Sequence, residues 1–433
     1  MPKKENKAKS KTPFEWKTPK GTADILPKEQ EARRFFWQVG TAVSELHDFY
    51  LLETPLLETE ELFAAGFGDR FEEVEKLLFT LKDREGEKLA LRFSPHIPAM
   101  RSFLANHLAY FASPLKVFSW NPVFRAIEPK EGFSREFREW SFEIIGEADP
   151  IYDGEVILAT YDFLRSLKLK NVKLSITSAG CRVCRPAFKQ KLKTYYRPLK
   201  DQVCKECVKD IEENPYALAR CEEEKCRTVR AEAPIVLDYL CQSCNNHFKS
   251  VLELVEDNGI PYVPDPYLLP LNDYSDRTTF EFFVPEYPLP IASGGRYDYL
   301  AEALKGRFIP AVGAGIGMER AIEAMKRQGV VPHPKIKPRV FFVVLSEQAK
   351  KAALHLMNML RESGVAVVEV VGKKTLKAQL RTSDKLGIRL ALILGQKEVF
   401  EGTIIVRDTT TGAQETIVTD RLVEEVKKRL VSK

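Results

Sequence analysis

Eight cysteines stand between positions 181 and 244 of this 433-residue chain, and none occurs elsewhere. They fall as Cys181/Cys184, Cys204/Cys207, Cys221/Cys226 and Cys241/Cys244, three CxxC pairs and one CxxxxC. Thiolates this close supply the bite that tetrahedral Zn²⁺ requires, and eight of them make two structural sites of four ligands each. The spacing leaves open which pairs would share a metal, and also a plainer origin as reduced cysteines in a small core. Disulfides are disfavoured because the amino end has no apolar secretion core. A redox centre is disfavoured because no thioredoxin-like βαβ pattern surrounds the pairs.

The elements that must hold these thiols lie in a longer pattern. Phe35, Phe36, Val39, Val43, Leu46 and Phe49 recur at helical spacing after Pro27, predicting a helix over Glu29 to Tyr50. Between Leu51 and Ile145 short runs such as LALRF, KVFSW and FEIIGE predict an antiparallel sheet with interrupting helices. Residues 175 to 255 form a Cys-rich, helical insertion. Strand patterns return at Thr278 to Val284 and Pro290 to Gly295, and Ala311 to Met325 reads as a Gly-rich turn entering a helix. The reading for residues 18–328 is an α+β domain rather than a Rossmann sheet. GVVPHPKIKP, residues 329–338, reads as a linker. From 339 to 433, strand and helix alternate, with helices over Glu347 to Ser363 and Thr375 to Leu386. That predicts a small α/β domain with a mostly parallel sheet.

Composition limits what such a chain can do. With 44% hydrophobic, 29% charged and 10% aromatic residues it suits two or three folded domains and excludes collagen-like, coiled-coil and disordered architectures. Its longest apolar runs, such as Val340 to Leu345, fall far short of the roughly 20 residues that cross a bilayer. No membrane partner is expected, and a cytoplasmic location is. The net charge of +5 is uneven: residues 1–17, read as a disordered basic arm, carry +4 and residues 337–433 carry +7, leaving −6 between them. Basic ends on an acidic body suggest a polyanion held away from a central site, although they would also serve solubility alone.

Several segments carry a resemblance to histidyl-tRNA synthetases, class II aminoacyl-tRNA synthetases, from about Thr18 onward. TPKGTADILP resembles their amino-terminal signature and FYLLETPLLE, with Pro55, their motif 1. FRAIEPKEGFSREF at Phe124 to Phe137 is similar to motif 2 and AVGAGIGMER, ending at Arg320, to motif 3. TTFEFF and IASGGRYD resemble segments particular to the histidine enzymes, and residues 376–398 resemble their anticodon-binding domain. The Cys-bearing insert ahead of Ile260 to Tyr262 is also similar to one in many bacterial members.

The resemblance implies a homodimer that uses ATP with Mg²⁺ and binds tRNA, that of histidine, with no DNA partner. It places Arg125 and Glu128 at ATP, with Arg125 on the α-phosphate and substrate carboxylate and Arg320 on the γ-phosphate. The implied amino-acid pocket comprises Ser94, His96, Glu139, Glu143, Tyr274, Ser275, Gly294 and Arg296. Candidate tRNA contacts are Lys373, Lys374, Lys377, Arg381 and Lys385.

Four departures bear on histidine. Where the family reads LRPEGT this chain reads LRFSPH, so Ser94 replaces a histidine-recognising Glu and His96 a Thr. Where it reads VRGLDYY this chain has LPLNDYS, which puts Pro270 at the catalytic Arg and Ser275 at an imidazole-contacting Tyr. Ile127 stands at the motif 2 Glu, with Glu128 one place on, and Glu139 stands at a Gln that meets the substrate ammonium. Proline cannot neutralise a developing phosphate charge, and losing such a donor costs about 3–4 kcal/mol of activation energy. The expectation is therefore a synthetase-like protein with impaired or lost histidine activation. An active ligase with atypical residues and a non-enzymatic regulatory paralogue are the alternatives. Ser94 and His96 share a parity, so their side chains face the same way if the segment is extended; the resemblance implies that this is the substrate side, with His96 filling part of the pocket. The alternative is an outward imidazole.

Overall fold

The computed structural model describes residues 16–270, 272, 274–332, 339–369 and 375–431. Most of the basic arm, much of the linker, and Lys373 and Lys374 thus lie outside the described residues. The chain divides near residue 334 into two compact units.

The first unit is built on an eight-stranded sheet in the order Tyr50–Leu51, Leu115–Phe124, Glu136–Ile145, Ala311–Gly317, Tyr287–Arg296, Asp276–Val284, Lys173–Ser178 and Tyr262–Pro264. Every pairing is antiparallel except the two outermost. In Glu136–Ile145, Trp140, Phe142 and Ile144 point into a core shared with the helices Gln30–Leu46, Ile151–Ser166, Gln242–Asp257 and Met318–Arg327. The alternate residues Glu139, Ser141 and Glu143 then face the other side. The AVGAGIG segment, predicted as a turn, is a central strand. Its glycines lack the branched side chains that signal a strand, but they let the neighbouring carboxylates in. A β-carbon on Gly313 would lie 1.8 Å from Glu143 Oε2, and one on Gly315 2.3 Å from Glu139 Oε1.

The insertion is narrower than its sequence pattern. Lys173–Ser178 belongs to the sheet, and Phe248, Val251 and Val255 of the Gln242–Asp257 helix join the main core. Between them the insert has a core of its own, including Phe188, Leu192, Tyr196, Ile211, Leu218 and three of the cysteines.

In the second unit five strands run in the order Ala366–Glu369, Arg339–Val344, Leu390–Leu394, Thr403–Asp408 and Gln414–Val418. The first two pairings are parallel and the last two antiparallel, so the sheet is mixed rather than mostly parallel. Helices Glu347–Glu362 and Leu422–Val431 cover one face, and Leu380 of the Leu376–Lys385 helix packs on the other. Ser346 and Thr375 cap two of these helices, accepting from Ala349 N and Ala378 N at 3.1 and 3.3 Å.

Arg296 ties the first unit together. Its fully buried guanidinium donates to Asp153 Oδ2 at 2.7 Å, Asp298 Oδ1 at 3.0 Å, and the carbonyls of Asp149 and Glu147 at 3.0 and 3.3 Å. Asp153 also meets His247 Nε2 at 3.2 Å, and Asp298 accepts from Ala311 N at 3.0 Å. Removing one member of a buried ion network strands the others without partners. Arg296→Met should therefore lower unfolding free energy by about 3–5 kcal/mol in urea titrations. A loss below about 1 kcal/mol would show that water or relaxation compensates the orphaned carboxylates.

Candidate functional site

Leu115–Phe124 and Glu136–Ile145 form a long hairpin whose connecting segment lines a pocket together with Gly315 and Gly317 of the glycine strand. That pocket is one half of a cleft, whose two halves, of about 410 and 490 Å³, share Arg125, Glu139, Ser293 and Gly315 at their junction.

Arg125 leaves the end of the hairpin's first strand. Its backbone is held by a 2.9 Å bond from its N–H to Arg135 O, and its guanidinium lies between the rings of Phe93 and Phe137, 5.0 Å from each. Its Nε has no hydrogen-bond partner. Burial pulls its pKa down while the Glu139 carboxylate opposes the shift. A cation sandwiched and left unsatisfied in this way presents its charge to an anion in the cleft.

The 410 Å³ half is lined by Ile127, Phe133, Pro290, Ile291 and Arg320, among others. Arg320, on the Met318–Arg327 helix, donates to Gly132 O at 3.1 Å and Pro290 O at 3.0 Å, and its guanidinium lies 5.0 Å from the Phe133 ring. Glu128 does not line the cleft. It is exposed and pairs with Lys20 at 2.5 Å.

The other half gathers Ser94, His96, Glu139, Glu143, Pro270, Tyr274, Ser275 and Gly294. His96 does not continue a strand, since it opens the His96–Ala105 helix, yet both it and Ser94 reach the cavity. The imidazole meets Tyr274 Oη at 2.8 Å and lies 5.6 Å from the ring centres of Tyr274 and Tyr297. Burial, with Arg125 nearby, pushes its pKa down to about 4, so the ring is neutral at pH 7. Ser94 Oγ is buried without a partner. Arg296 stands apart from these residues: its donors are consumed by the buried network, and it lines neither half.

Glu143 accepts from the Tyr297 hydroxyl, and burial raises its pKa to about 8, an effect the Tyr297 bond opposes and Glu139 reinforces. Burial raises Glu139 as well, against Arg125 and Arg320. A carboxyl held above its ordinary range is ready to ionise when a cation arrives, so an ammonium ligand would bind here with release of a proton. Tyr297, Phe93 and Phe137 complete the site but were absent from the sequence-based set. Tyr297 adjoins the GGR run, whereas the two rings give no local signal beyond being aromatic.

The thiols assemble as the outer pairs together and the inner pairs together. Cys181, Cys184, Cys241 and Cys244 form one quartet, and Cys204, Cys207, Cys221 and Cys226 the other, with sulfurs within 4.8 Å of one another. Separations of 3.8 Å (Cys181–Cys184), 3.9 Å (Cys181–Cys241) and 3.9 Å (Cys204–Cys221) match the edge of about 3.8 Å of a tetrahedron with Zn–S bonds of about 2.3 Å. Backbone N–H groups of Cys241 and Cys204 donate to Cys184 Sγ and Cys226 Sγ at 3.0 and 3.1 Å, as suits thiolate acceptors. The donor set and its geometry fit a structural zinc in each quartet.

In the second unit, Lys377, Arg381 and Lys385 are exposed at four-residue intervals along one helix face. Gln379 and Ser383 are buried, and Gln379 exchanges hydrogen bonds of 3.1 and 2.8 Å with the backbone of Val344.

Comparison with known proteins follows this architecture along the whole chain. The family model for histidyl-tRNA synthetase matches residues 21–321, and that for an anticodon binding domain matches residues 339–429. The histidine–tRNA ligase of Dehalococcoides mccartyi is 34% identical over 417 residues, covering 96% of this chain and 100% of the relative. That of Moorella thermoacetica is 36% identical over 414 residues, covering 95% and 97%. The apo histidyl-tRNA synthetase of S. aureus superposes with a TM-score of 0.80 at 27% identity, over 95% of this chain and 100% of that one. On the strength of both units, in this order and over this length, the chain belongs to the histidyl-tRNA synthetase family.

Proposed function

We propose that this chain keeps its family's scaffold, ATP half and tRNA-binding unit but does not select free histidine. The family reaction joins a histidine carboxylate oxygen to the α-phosphorus of ATP, releases pyrophosphate, and passes the acyl group to tRNA. In support of ATP with Mg²⁺, Arg125, unsatisfied, and Arg320, with only part of its fork engaged, face the 410 Å³ half. The observation that carries the loss of selectivity is the His96 imidazole, bonded to Tyr274 inside the half that would receive an amino-acid side chain. No carboxylate stands at position 94 to hold a second imidazole, and Pro270 brings no charge to the same half. A second reading, an active ligase with atypical residues, is favoured by Glu139, Glu143 and Tyr297, which still offer a seat for a substrate ammonium.

Tyr50, Leu51, Tyr110 and Phe111 are exposed at the sheet's edge, with Tyr50 and Phe111 in edge contact at 5.6 Å between ring centres. Exposed apolar surface beside the Pro55 segment supports a homodimer. The Lys377, Arg381 and Lys385 face supports contact with tRNA, that of histidine by family. Zinc in the two quartets would fix the insert's fold.

Isothermal titration decides between the two readings of the pocket. Histidine at millimolar concentration should give no binding to the unmodified protein, and the pair Ser94→Glu with His96→Thr should gain some. Tight binding by the unmodified chain would restore the ordinary ligase reading. Native mass spectrometry of protein purified without chelator should show a dimer with two zinc ions per chain; a monomer would remove the first assignment and a metal-free mass the second. A fragment covering residues 339–433 should bind tRNA at low salt and lose affinity steeply as salt rises, because its charge acts by counterion release. Failure to bind at low salt would remove that partner.

A further inference from the structure

Arg220 reaches the cleft from an unexpected direction. It ends the short turn Pro215–Arg220 of the insert and directly precedes Cys221, a member of the inner thiol quartet. Its side chain is solvent-exposed yet lines the amino-acid half, which Pro270 and Glu281 also line. No hydrogen bond or ion pair engages its guanidinium among the described residues. The backbone on either side is fixed, since Arg230 donates to both Ala219 O and Cys221 O and stacks at 5.0 Å on Tyr267. The Glu281 and Asp265 carboxylates act on it only through space, so a cation on an anchored turn is preorganised and ligand binding need not first break a contact ion pair.

Its place along the cleft follows from the sheet register. Glu281 pairs with Ser293, and Ser293 lines both halves at their junction. Glu281 is also within electrostatic reach of Arg320 from the nucleotide half and Arg220 from the other. Arg220 therefore lies on the insert side, within electrostatic reach of the residue paired with junction Ser293, and Arg125 stands at the junction itself from the hairpin side. On the ATP-site reading, with the nucleotide in the 410 Å³ half and the substrate carboxylate in the other, the group that meets the junction is the α-phosphate, which gains negative charge during transfer and toward which position 270 supplies no cation.

We propose that Arg220 contacts the α-phosphate of bound ATP, taking over the charge that position 270 lacks. This assignment rests on the ATP-site reading given above. It makes the inner thiol quartet a positioning device for the nucleotide site as well as a brace for the insert.

Titration of the full chain, in the presence of Mg²⁺, with ATP, AMP and adenosine separates the possibilities. Arg220→Ala should weaken ATP and AMP alike by roughly 10- to 100-fold, as expected for a charge-assisted bond, and leave adenosine within about twofold. Arg220→Lys should recover most of the loss. Arg320→Ala, by contrast, should weaken ATP and spare AMP. Arg220→Gln repeats the test with a side chain of similar length, should the alanine variant fold poorly by circular dichroism. Unchanged ATP and AMP affinities in the folded Arg220 variants would overturn the assignment, as they would if the guanidinium served an amino-acid carboxylate or only Glu281. Equal losses for all three ligands would overturn it too, because the cleft itself would have changed. Failure of the unmodified protein to bind any of the three would sink the ATP site and this assignment together, whereas normal binding with indifferent variants sinks the assignment alone.

Discussion

Two carboxylates four residues apart on one strand can face the same cleft only if the neighbouring strand gives them space. Gly313 and Gly315 give that space, and much of the site follows from it. With Glu139 and Glu143 lodged over glycine, the cleft floor is acidic and largely desolvated. Arg125 favours the ionised form of Glu139 at the junction, and the Tyr297 hydroxyl keeps Glu143 oriented. A methyl group at either glycine would press on a carboxylate or on the backbone behind it, so the constraint acts on geometry and charge together.

The two halves of the cleft differ in how far they match their family. The 410 Å³ half is lined by the cations Arg125 and Arg320 and by the ring of Phe133, against which Arg320 lies. The amino-acid half needs polar groups matched one by one to a substrate, and a site built this way loses its selectivity when partners are exchanged. Here an internal imidazole already shares a hydrogen bond with the Tyr274 hydroxyl. Glu139 and Glu143 line the same half, so under the proposed function recognition of the substrate ammonium and of its side chain would be separate matters.

Much of this was legible in the sequence where local chemistry and tertiary role agree. The helix expected over Glu347 to Ser363 spans Glu347–Glu362, because its apolar periodicity and its Ser346 cap are both local signals. The eight cysteines mark their own site, although only folding pairs the outer elements with each other and the inner with each other. The Gly-rich segment misled because what makes it a strand is its neighbours on both sides. Gln414–Val418 went unseen because an edge strand with hardly any buried face shows no alternation. Arg296 stands two residues from Gly294 and so reads as a pocket residue, but the register breaks between Gly295 and Arg296 and the buried guanidinium bonds to the Asp153 carboxylate instead. Arg220 carries no motif at all, and only the folded insert brings it to the cleft.

The order in which strands join the large sheet has a consequence for how the chain is made. Ile145 pairs with Ala311, so the carboxylate-bearing strand has no partner on that side until residues far downstream have left the ribosome. The chain between them includes the whole thiol-rich insert, whose own core is assembled from contacts close in sequence. Local contacts close quickly and distant strand pairings slowly. The insert therefore compacts first and shortens the effective loop that the central pairing must close, while the hairpin waits with one open edge. Faults in the insert should appear as aggregation during synthesis before they appear as any defect in the finished cleft.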